Sequence, residues 1–200
     1  MQLHLACIVE GQGDLEAVPV LVRRIVHALA PEAAVQVHPF RVGRNKLLKE
    51  GELERAVELA ARRAGRDGGI LILVDSDDDC PAQLGPALLQ RAARVRPDIP
   101  IRLVLAHREF EAWFLAGAES LGGRRGLPKN LTSPENPESI RGAKQWLTAR
   151  MSGDLHYVET LDQPALAAVL DLTAARGADS FDKLWRDLAS LMPRSPETSG

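Results

Sequence analysis

The amino-acid sequence has few cysteines, few aromatic residues and almost no net charge. Its two cysteines, Cys7 and Cys80, are too few and too irregularly placed for a disulfide framework or a zinc site. The formal net charge of −2 gives no general attraction to nucleic acid, so contact with a polyanion needs a local basic patch. The apolar stretch at the N-terminus is too short for a signal peptide or a membrane span, and no basic region precedes it. We therefore predict a cytoplasmic protein with no membrane association.

What the sequence does contain is typical of a globular α/β protein. Hydrophobic residues make up 45% and charged residues 26% of a 200-residue chain, which suits one domain with or without an extension. Short aliphatic runs alternate with segments of helical periodicity. Strands are predicted over 3–9, 35–42, 70–74 and 101–106, and helices over 14–30, 52–64, 81–95 and 109–118. This alternation predicts a mostly parallel four-stranded sheet flanked by helices.

The character of the sequence changes after residue 118. Gly, Pro, Asn and Ser are frequent in 119–137, which predicts a loop or linker. Helices are predicted over 138–151, 163–176 and 180–191. Asp162 or Gln163 is expected to cap the second, with Pro164 at its first helical position, and Ser180 the third. We predict an α/β core over 1–118, a helical extension over 138–192 packed on the core, and a flexible tail over 193–200.

Acidic residues follow three of the four predicted strands. Glu10 ends the first, Asp75 and Asp77 follow the third, and Glu109 and Glu111 follow the fourth. The carboxyl ends of parallel strands meet at one edge of the sheet, so these side chains are expected to lie close together. If the third strand stays extended, Asp75 and Asp77 point the same way. Carboxylate oxygens are what Mg²⁺ or Mn²⁺ prefers, and the ion would relieve the charge repulsion.

Helix capping is the competing interpretation of these acids. Asp79 precedes Cys80-Pro81, where a helix is predicted to begin, and Asp14 stands at the start of the first helix. Each could stabilise a helix N-terminus without any ligand. Glu109 and Glu111 cannot both face the site if a helix has begun there, and Glu109 is favoured.

A basic segment follows the second predicted strand at the same edge of the sheet. Arg44, Lys46 and Lys49 lie there, together with Arg41. Phosphate binding and an ordinary solvated loop are equally compatible with this composition.

The order of the acidic motifs resembles a known domain. EGQGD at 10–14 after the first strand, followed by DSD at 75–77 after the third, resembles the Toprim domain of topoisomerases, primases and OLD-type nucleases. The rest of the chain, including HREFEAWFLA, PESIRGAKQWL, YVETLDQPALAAVLDL and SFDKLWRDL, resembles the Toprim-like DUF4276 family. The resemblance therefore implies a Toprim-like core with a helical C-terminal extension.

The resemblance also implies roles for particular residues. Glu10 would act as general acid or base, and Asp75 and Asp77 would bind Mg²⁺ or Mn²⁺. Asp14 stands where OLD-type nucleases usually have glutamate, and Glu109 or Glu111 would complete a two-metal site. The only tyrosine, Tyr157, lies in the extension, which argues against a topoisomerase.

Two functions are therefore expected from the sequence. The first is a Mg²⁺- or Mn²⁺-dependent phosphodiester-processing enzyme, a nuclease acting on DNA or RNA. The second is a Toprim-like module that binds nucleic acid or a protein partner without turnover, as part of a defence system. An ATPase is one such partner, and a dimer is compatible with either function.

Overall fold

A four-stranded parallel sheet forms the centre of the structure, a computed structural model that describes residues 2–192. The strands are β1 (Gln2–Val9), β2 (Ala34–Arg41), β3 (Gly69–Asp75) and β4 (Ile101–Ala106), in the spatial order β2-β1-β3-β4. The chain leaves β1 to form β2 on one side and then returns to form β3 on the other. The switch point of the sheet therefore lies between β1 and β3, where ligands of open α/β sheets bind beyond the carboxyl ends of the strands.

Nine α-helices accompany the sheet in the described residues. They are α1 (Asp14–Leu29), α2 (Arg44–Leu47), α3 (Glu52–Ala64), α4 (Pro81–Val95), α5 (Ala112–Ala116), α6 (Ala143–Thr148), α7 (Glu159–Ala167), α8 (Leu172–Ala175) and α9 (Asp179–Leu191). The predicted α/β class with a four-stranded parallel sheet flanked by helices is confirmed. None of these helices is long and apolar enough to cross a membrane.

Each face of the sheet has its own hydrophobic core, because successive side chains of a strand point to opposite faces. On one face, Leu5, Cys7 and Val9 of β1 pack with α1 and the helices of the extension. On the other, Ala6 and Ile8 pack with α3 and α4. Covering on both faces explains why β1, β3 and β4 are nearly continuous aliphatic runs, whereas the edge strand β2 alternates apolar and polar residues.

The second half of the chain packs on the α1 face rather than forming a separate core. Trp113 and Phe114 of α5 and Phe181 of α9 are fully buried there, in the same hydrophobic cluster as α1. Leu127 and Leu131 from the predicted loop join this cluster. The predicted tail, 193–200, lies outside the described residues.

The first two helices of the extension differ from the predicted ones in length and position, whereas α9 matches the predicted 180–191 to within one residue, with Ser180 inside the helix rather than capping it. A 3-10 turn at Pro137–Ser139 precedes the short α6, and 163–176 contains the end of α7 and all of α8. Helix α7 begins at Glu159, and the Asp162 carboxylate accepts a 2.6 Å hydrogen bond from the N–H of Val158, the N-cap residue. Asp162 therefore stabilises the N-terminus from inside the helix, and Pro164 lies within α7 rather than at its first position.

Candidate functional site

A cleft of about 970 Å³ opens beyond the carboxyl ends of β1 and β3, at the switch point of the sheet. Seven acidic residues line it: Glu10, Asp14, Asp75, Asp77, Glu111 and Glu159 around the ends of β1 and β3, and Glu52 of α3. Glu159 is the first residue of α7 in the extension, whereas the other acids belong to the first 118 residues. The cleft is therefore built jointly by the α/β core and the extension.

Asp75 occupies the centre of this acidic group. It is the last residue of β3, its Oδ1 accepts a 2.9 Å hydrogen bond from the N–H of Phe110, and its own N–H donates to Glu10 Oε2 at 3.3 Å. Burial raises the pKa of Asp75 well above its ordinary value, and the neighbouring carboxylates Glu111, Asp14 and Glu10 raise it further. The burial of the Glu10 carboxyl likewise raises its pKa, although the N–H of Asp75 works in the opposite direction.

The Glu111 side chain is fully buried, and only one of its two carboxylate oxygens accepts a hydrogen bond in the described chain. Its Oε1 accepts a 2.9 Å hydrogen bond from the Tyr157 hydroxyl, whereas its Oε2 has no hydrogen-bond partner within the described chain. Burial raises the pKa of Glu111 to about 7, and the nearby Lys144 limits the rise. An unsatisfied buried carboxylate oxygen is costly unless a cation or a proton is supplied.

Asp14 joins the start of α1 to the extension. Its Oδ2 accepts a 2.7 Å hydrogen bond from the N–H of Gly11, and its Oδ1 accepts a 2.9 Å bond from Gln163 Nε2. Burial raises the pKa of Asp14, and the two hydrogen bonds oppose the rise. Gln163 Oε1 is buried without a partner in the described chain. Asp14 thus takes part in the loop at the start of α1 while its carboxylate lines the cleft.

Lys144 supplies positive charge to the group from α6. Its Nζ lies 3.1 Å from Glu159 Oε2 and 3.8 Å from Glu111 Oε2. Burial acts to lower the pKa of Lys144, but the carboxylates of Glu111 and Glu159 outweigh it and raise the pKa. Lys144 is therefore held in its charged form beside the acids.

Glu109 does not join the cleft. Its Oε1 accepts hydrogen bonds from the N–H groups of Gly142, at 3.0 Å, and Ala143, at 3.3 Å, at the start of α6. Helix α5 begins only at Ala112, and Glu111 points into the cleft in the place that we expected Glu109 to take.

The acidic turn after β3 divides its residues between different partners. Asp77 has a left-handed backbone (φ 49°), so the chain is no longer extended there and strand alternation does not decide where Asp77 points. It lines the cleft, 3.4 Å from Arg44 Nε. Asp79 pairs with Arg44 instead of capping α4, whose N-cap residue Cys80 makes no side-chain cap bond. Asp78 faces Arg141 at 2.5 Å.

The basic residues after β2 form one wall of the same cleft. Arg44 and Lys46 line it, whereas Lys49 lies outside it. Arg44 Nε also donates to the backbone carbonyl of Asp75 at 3.1 Å, which ties α2 to the end of β3. A basic wall therefore stands beside the acidic group.

The comparison with protein families identifies the chain. The family model described as "Domain of unknown function (DUF4276)" matches residues 9–189. The chain belongs to the DUF4276 family. All acidic residues of the cleft fall inside the matched range, and so does Lys144. Comparison with the curated proteins and with the solved structures gives no match.

The carboxylates of this DUF4276 protein are chemically suited to bind a hard divalent cation, but their side chains are not arranged to coordinate one. Four buried or half-buried carboxylates, one with an unpartnered oxygen, are the chemistry that Mg²⁺ or Mn²⁺ selects. Among residues 2–192, no three carboxylate, histidine or cysteine side chains are arranged to hold an ion as they stand. Binding a cation therefore requires side-chain rotation, mainly away from the backbone N–H groups that Asp75 and Asp14 now engage.

Several residues of the cleft were not predicted from the sequence. Lys144, Glu159 and Gln163 all come from the extension, which was predicted only to pack on the core. Glu159 and Gln163 are four residues apart, so they share one face of α7, and that spacing of an acid and an amide was the available signal. Nothing local indicated that this face meets the Gly11–Gly13 loop.

Close approach of α7 to Gly13 makes this glycine sensitive to substitution. A Cβ at Gly13 would lie 2.2 Å from Gln163 Oε1 and 2.8 Å from the backbone oxygen of Glu159. We expect Gly13→Ala to lower the free energy of unfolding by about 1–3 kcal/mol, since overpacking displaces α7. Gly43→Ala is the matched control because nothing lies within 4 Å of its Cβ. Urea unfolding of both variants tests this, and equal stabilities would contradict the packing described.

The stability of the metal-free protein should fall as the pH rises. The folded-state pKa of Glu111, about 7, exceeds the ordinary value of 4.5. Between these two pH values the folded state therefore binds more protons than the unfolded state. The stability contributed by protonated Glu111 is fully present below about pH 4.5 and is lost as the pH rises through 7. We expect a loss on the order of 2–3 kcal/mol, measured by urea unfolding in EDTA. Glu111→Gln should flatten the curve over this window, and an unchanged slope would contradict the assignment.

Proposed function

We propose that this protein is a divalent-metal-dependent phosphodiesterase that cleaves nucleic acid, a nuclease using Mg²⁺ or Mn²⁺. The observation that carries the proposal is the group of buried carboxylates at the switch point, among them Glu111 Oε2, which accepts no hydrogen bond in the described chain, beside a basic wall. Such a group is unfavourable without a cation, and substrate phosphates would also be drawn by Arg44 and Lys46. The resemblance of the acidic motifs to Toprim supports the same chemistry.

The residues that would hold the cation are Asp75, Asp77, Asp14 and Glu111. A divalent ion bound there would polarise a phosphoryl oxygen, lower the pKa of a water and neutralise developing charge. Glu10 is the candidate for proton exchange, because it is half-buried at the end of β1 and burial raises the pKa of its carboxyl. Arg44 and Lys46 would orient the phosphate from the opposite wall.

A binding module without turnover is the second candidate. Two observations favour it: the described side chains do not form a ready-made metal site, and Lys144 already neutralises part of the group. In that case the cleft would bind nucleic acid or a protein partner, such as an ATPase, as a single chain or a dimer.

Cleavage assays separate the two candidates. Purified protein is incubated with plasmid, single-stranded DNA and RNA in Mg²⁺, Mn²⁺ or EDTA. We expect metal-dependent cleavage by the wild type, loss of cleavage in Glu10→Gln, and full activity in Asp98→Asn. Asp98 is a matched control because it is an exposed acid that pairs, among residues 2–192, only with Arg96. Metal-independent binding of nucleic acid with no cleavage under any condition would favour the binding module.

A further inference from the structure

The cleft continues beyond the carboxylates onto an apolar surface. Phe40 of β2 and Ala56 and Leu59 of α3 line this part, and we call these three residues the apolar shelf. Leu59 is 41% exposed, although the neighbouring apolar residues of α3, among them Val57 and Ala60, are buried. The other exposed leucines of the described chain, Leu155 and Leu161, do not line the cleft.

Phe40 gives the shelf an aromatic platform. The Arg63 guanidinium lies 4.6 Å from the centroid of its ring, a cation–π distance, and Arg63 Nη1 donates to the Pro39 carbonyl. Arg63 therefore holds the ring from one side, and the ring also lines the cleft. A ring held in this way loses little conformational entropy when a second flat group stacks on it.

Basic side chains lie beside the shelf, together with the acidic Glu52. Arg55 lies one helical turn before Leu59 on α3, and Lys46 of α2 also lines the cleft. Arg55 is 79% exposed at its side chain and pairs only with Glu52 in the described chain. An apolar, aromatic platform with exposed cations beside it complements a flat ring that carries a phosphate.

We propose that the apolar shelf binds one unstacked base of single-stranded nucleic acid. The face of a base is accessible only where the strand is single or the nucleotide is extruded, so the shelf selects single strands over duplexes. Lys46 and Arg55 contact the backbone beside that base. The inference rests on the proposed function in one respect. If the carboxylates cleave nucleic acid, the shelf is the part of the same cleft that positions the strand for cleavage.

Binding of a labelled oligonucleotide tests the shelf without turnover. Fluorescence anisotropy is measured in EDTA with a dT12 strand, an rU12 strand, a duplex and a 12-residue abasic strand of the same backbone. We expect the single strands to bind roughly tenfold or more tightly than the abasic strand, because base–aromatic stacking is worth that much per base. Leu59→Ser and Phe40→Leu should weaken binding of the single strands to the level of the abasic strand while leaving abasic binding unchanged. Leu155 is an exposed leucine outside the cleft, so Leu155→Ser should leave the affinity for every strand unchanged.

The outcomes separate the shelf from the proposed hydrolysis. Equal affinities for abasic and normal strands, no binding of any strand, or unchanged affinity in Leu59→Ser and Phe40→Leu would each overturn the shelf. Melting temperatures of both variants equal to that of the wild type exclude misfolding as the cause of weaker binding. Base-dependent binding without metal-dependent cleavage would support the shelf and refute the nuclease, whereas cleavage without base-dependent binding would do the reverse.

Discussion

Asp75→Asn is expected to abolish metal-dependent cleavage and at the same time to make the metal-free protein more stable. Asparagine keeps an oxygen that accepts the hydrogen bond from the N–H of Phe110. The substitution removes a carboxyl group whose negative charge is unfavourable in the folded state. Burial, together with Glu111, Asp14 and Glu10, raises the pKa of this carboxyl well above its ordinary value. Each unit of such a rise is worth about 1.4 kcal/mol of unfavourable free energy for the ionised form at neutral pH. A site residue that stabilises the fold when its charge is removed is behaving as a ligand rather than as a structural support.

The expected magnitudes follow from the two roles of Asp75. Loss of even an outer-sphere partner of a metal commonly costs 10–100-fold in affinity or activity, so we expect at least about a 100-fold loss of cleavage rate. The melting temperature in EDTA should rise by about 2–4 °C for each kcal/mol gained in a chain of this size. Asp98→Asn is the control and should keep its activity without becoming more stable, because Arg96 lowers the pKa of Asp98. A less stable Asp75→Asn protein would show that the carboxylate supports the fold.

Lys144→Met should have the second largest effect, in the opposite direction. It removes the ammonium group that lies 3.1 Å from Glu159 and 3.8 Å from Glu111, and so leaves buried negative charge without its nearest lysine. The lysine side chain is 36% exposed, so solvent screening reduces the loss, and we expect a decrease of about 1–3 kcal/mol in the free energy of unfolding at pH 8. Below the pH where Glu111 takes up a proton, the decrease should become smaller.

Mn²⁺ gives the Lys144 experiment its sharpest control. A cation bound to the carboxylates replaces the missing positive charge, so Mn²⁺ should raise the melting temperature of Lys144→Met more than that of the wild type. Lys183→Met is matched, since Lys183 forms a part-buried i,i+4 pair with Asp187 on α9, outside the cleft lining, and it should show neither effect. Equal sensitivity of both variants to pH and Mn²⁺ would contradict a specific role of Lys144 in the acidic group.

The sequence carries most of the fold because the strands and long helices follow local patterns. The predicted helices over 52–64 and 81–95 have the same bounds as α3 and α4, and the predicted strand over 101–106 has those of β4. Apolar periodicity and the Gly and Pro residues that end these elements act within a few residues. In the extension, α9 follows its predicted bounds to within one residue, whereas α6, α7 and α8 are shorter than predicted because contacts with the core rather than local periodicity set their ends.

The residues of the candidate site also divide into those that local patterns predict and those that tertiary packing brings in. Glu10 and Asp75 were predicted to meet, because parallel strands bring their carboxyl ends to one edge, and the structure places a hydrogen bond between the Asp75 N–H and the Glu10 carboxylate. The choice between Glu109 and Glu111 depended on where α5 begins, and α5 begins at Ala112, three residues later than predicted, so both acids precede the helix. Lys144 reaches the cleft only through tertiary packing, which no local pattern encodes.

Thermal unfolding of the wild type in Mn²⁺ and in EDTA tests the central claim, that the acidic group at the switch point is a divalent-cation site. A cation that binds only the folded state stabilises it by about 2.7 kcal/mol at 100 times its dissociation constant. We therefore predict a higher melting temperature in Mn²⁺ than in EDTA for the wild type, and no difference for Asp75→Asn. Equal melting temperatures of the wild type in the two conditions, or an equal rise in Asp75→Asn, would contradict the assignment.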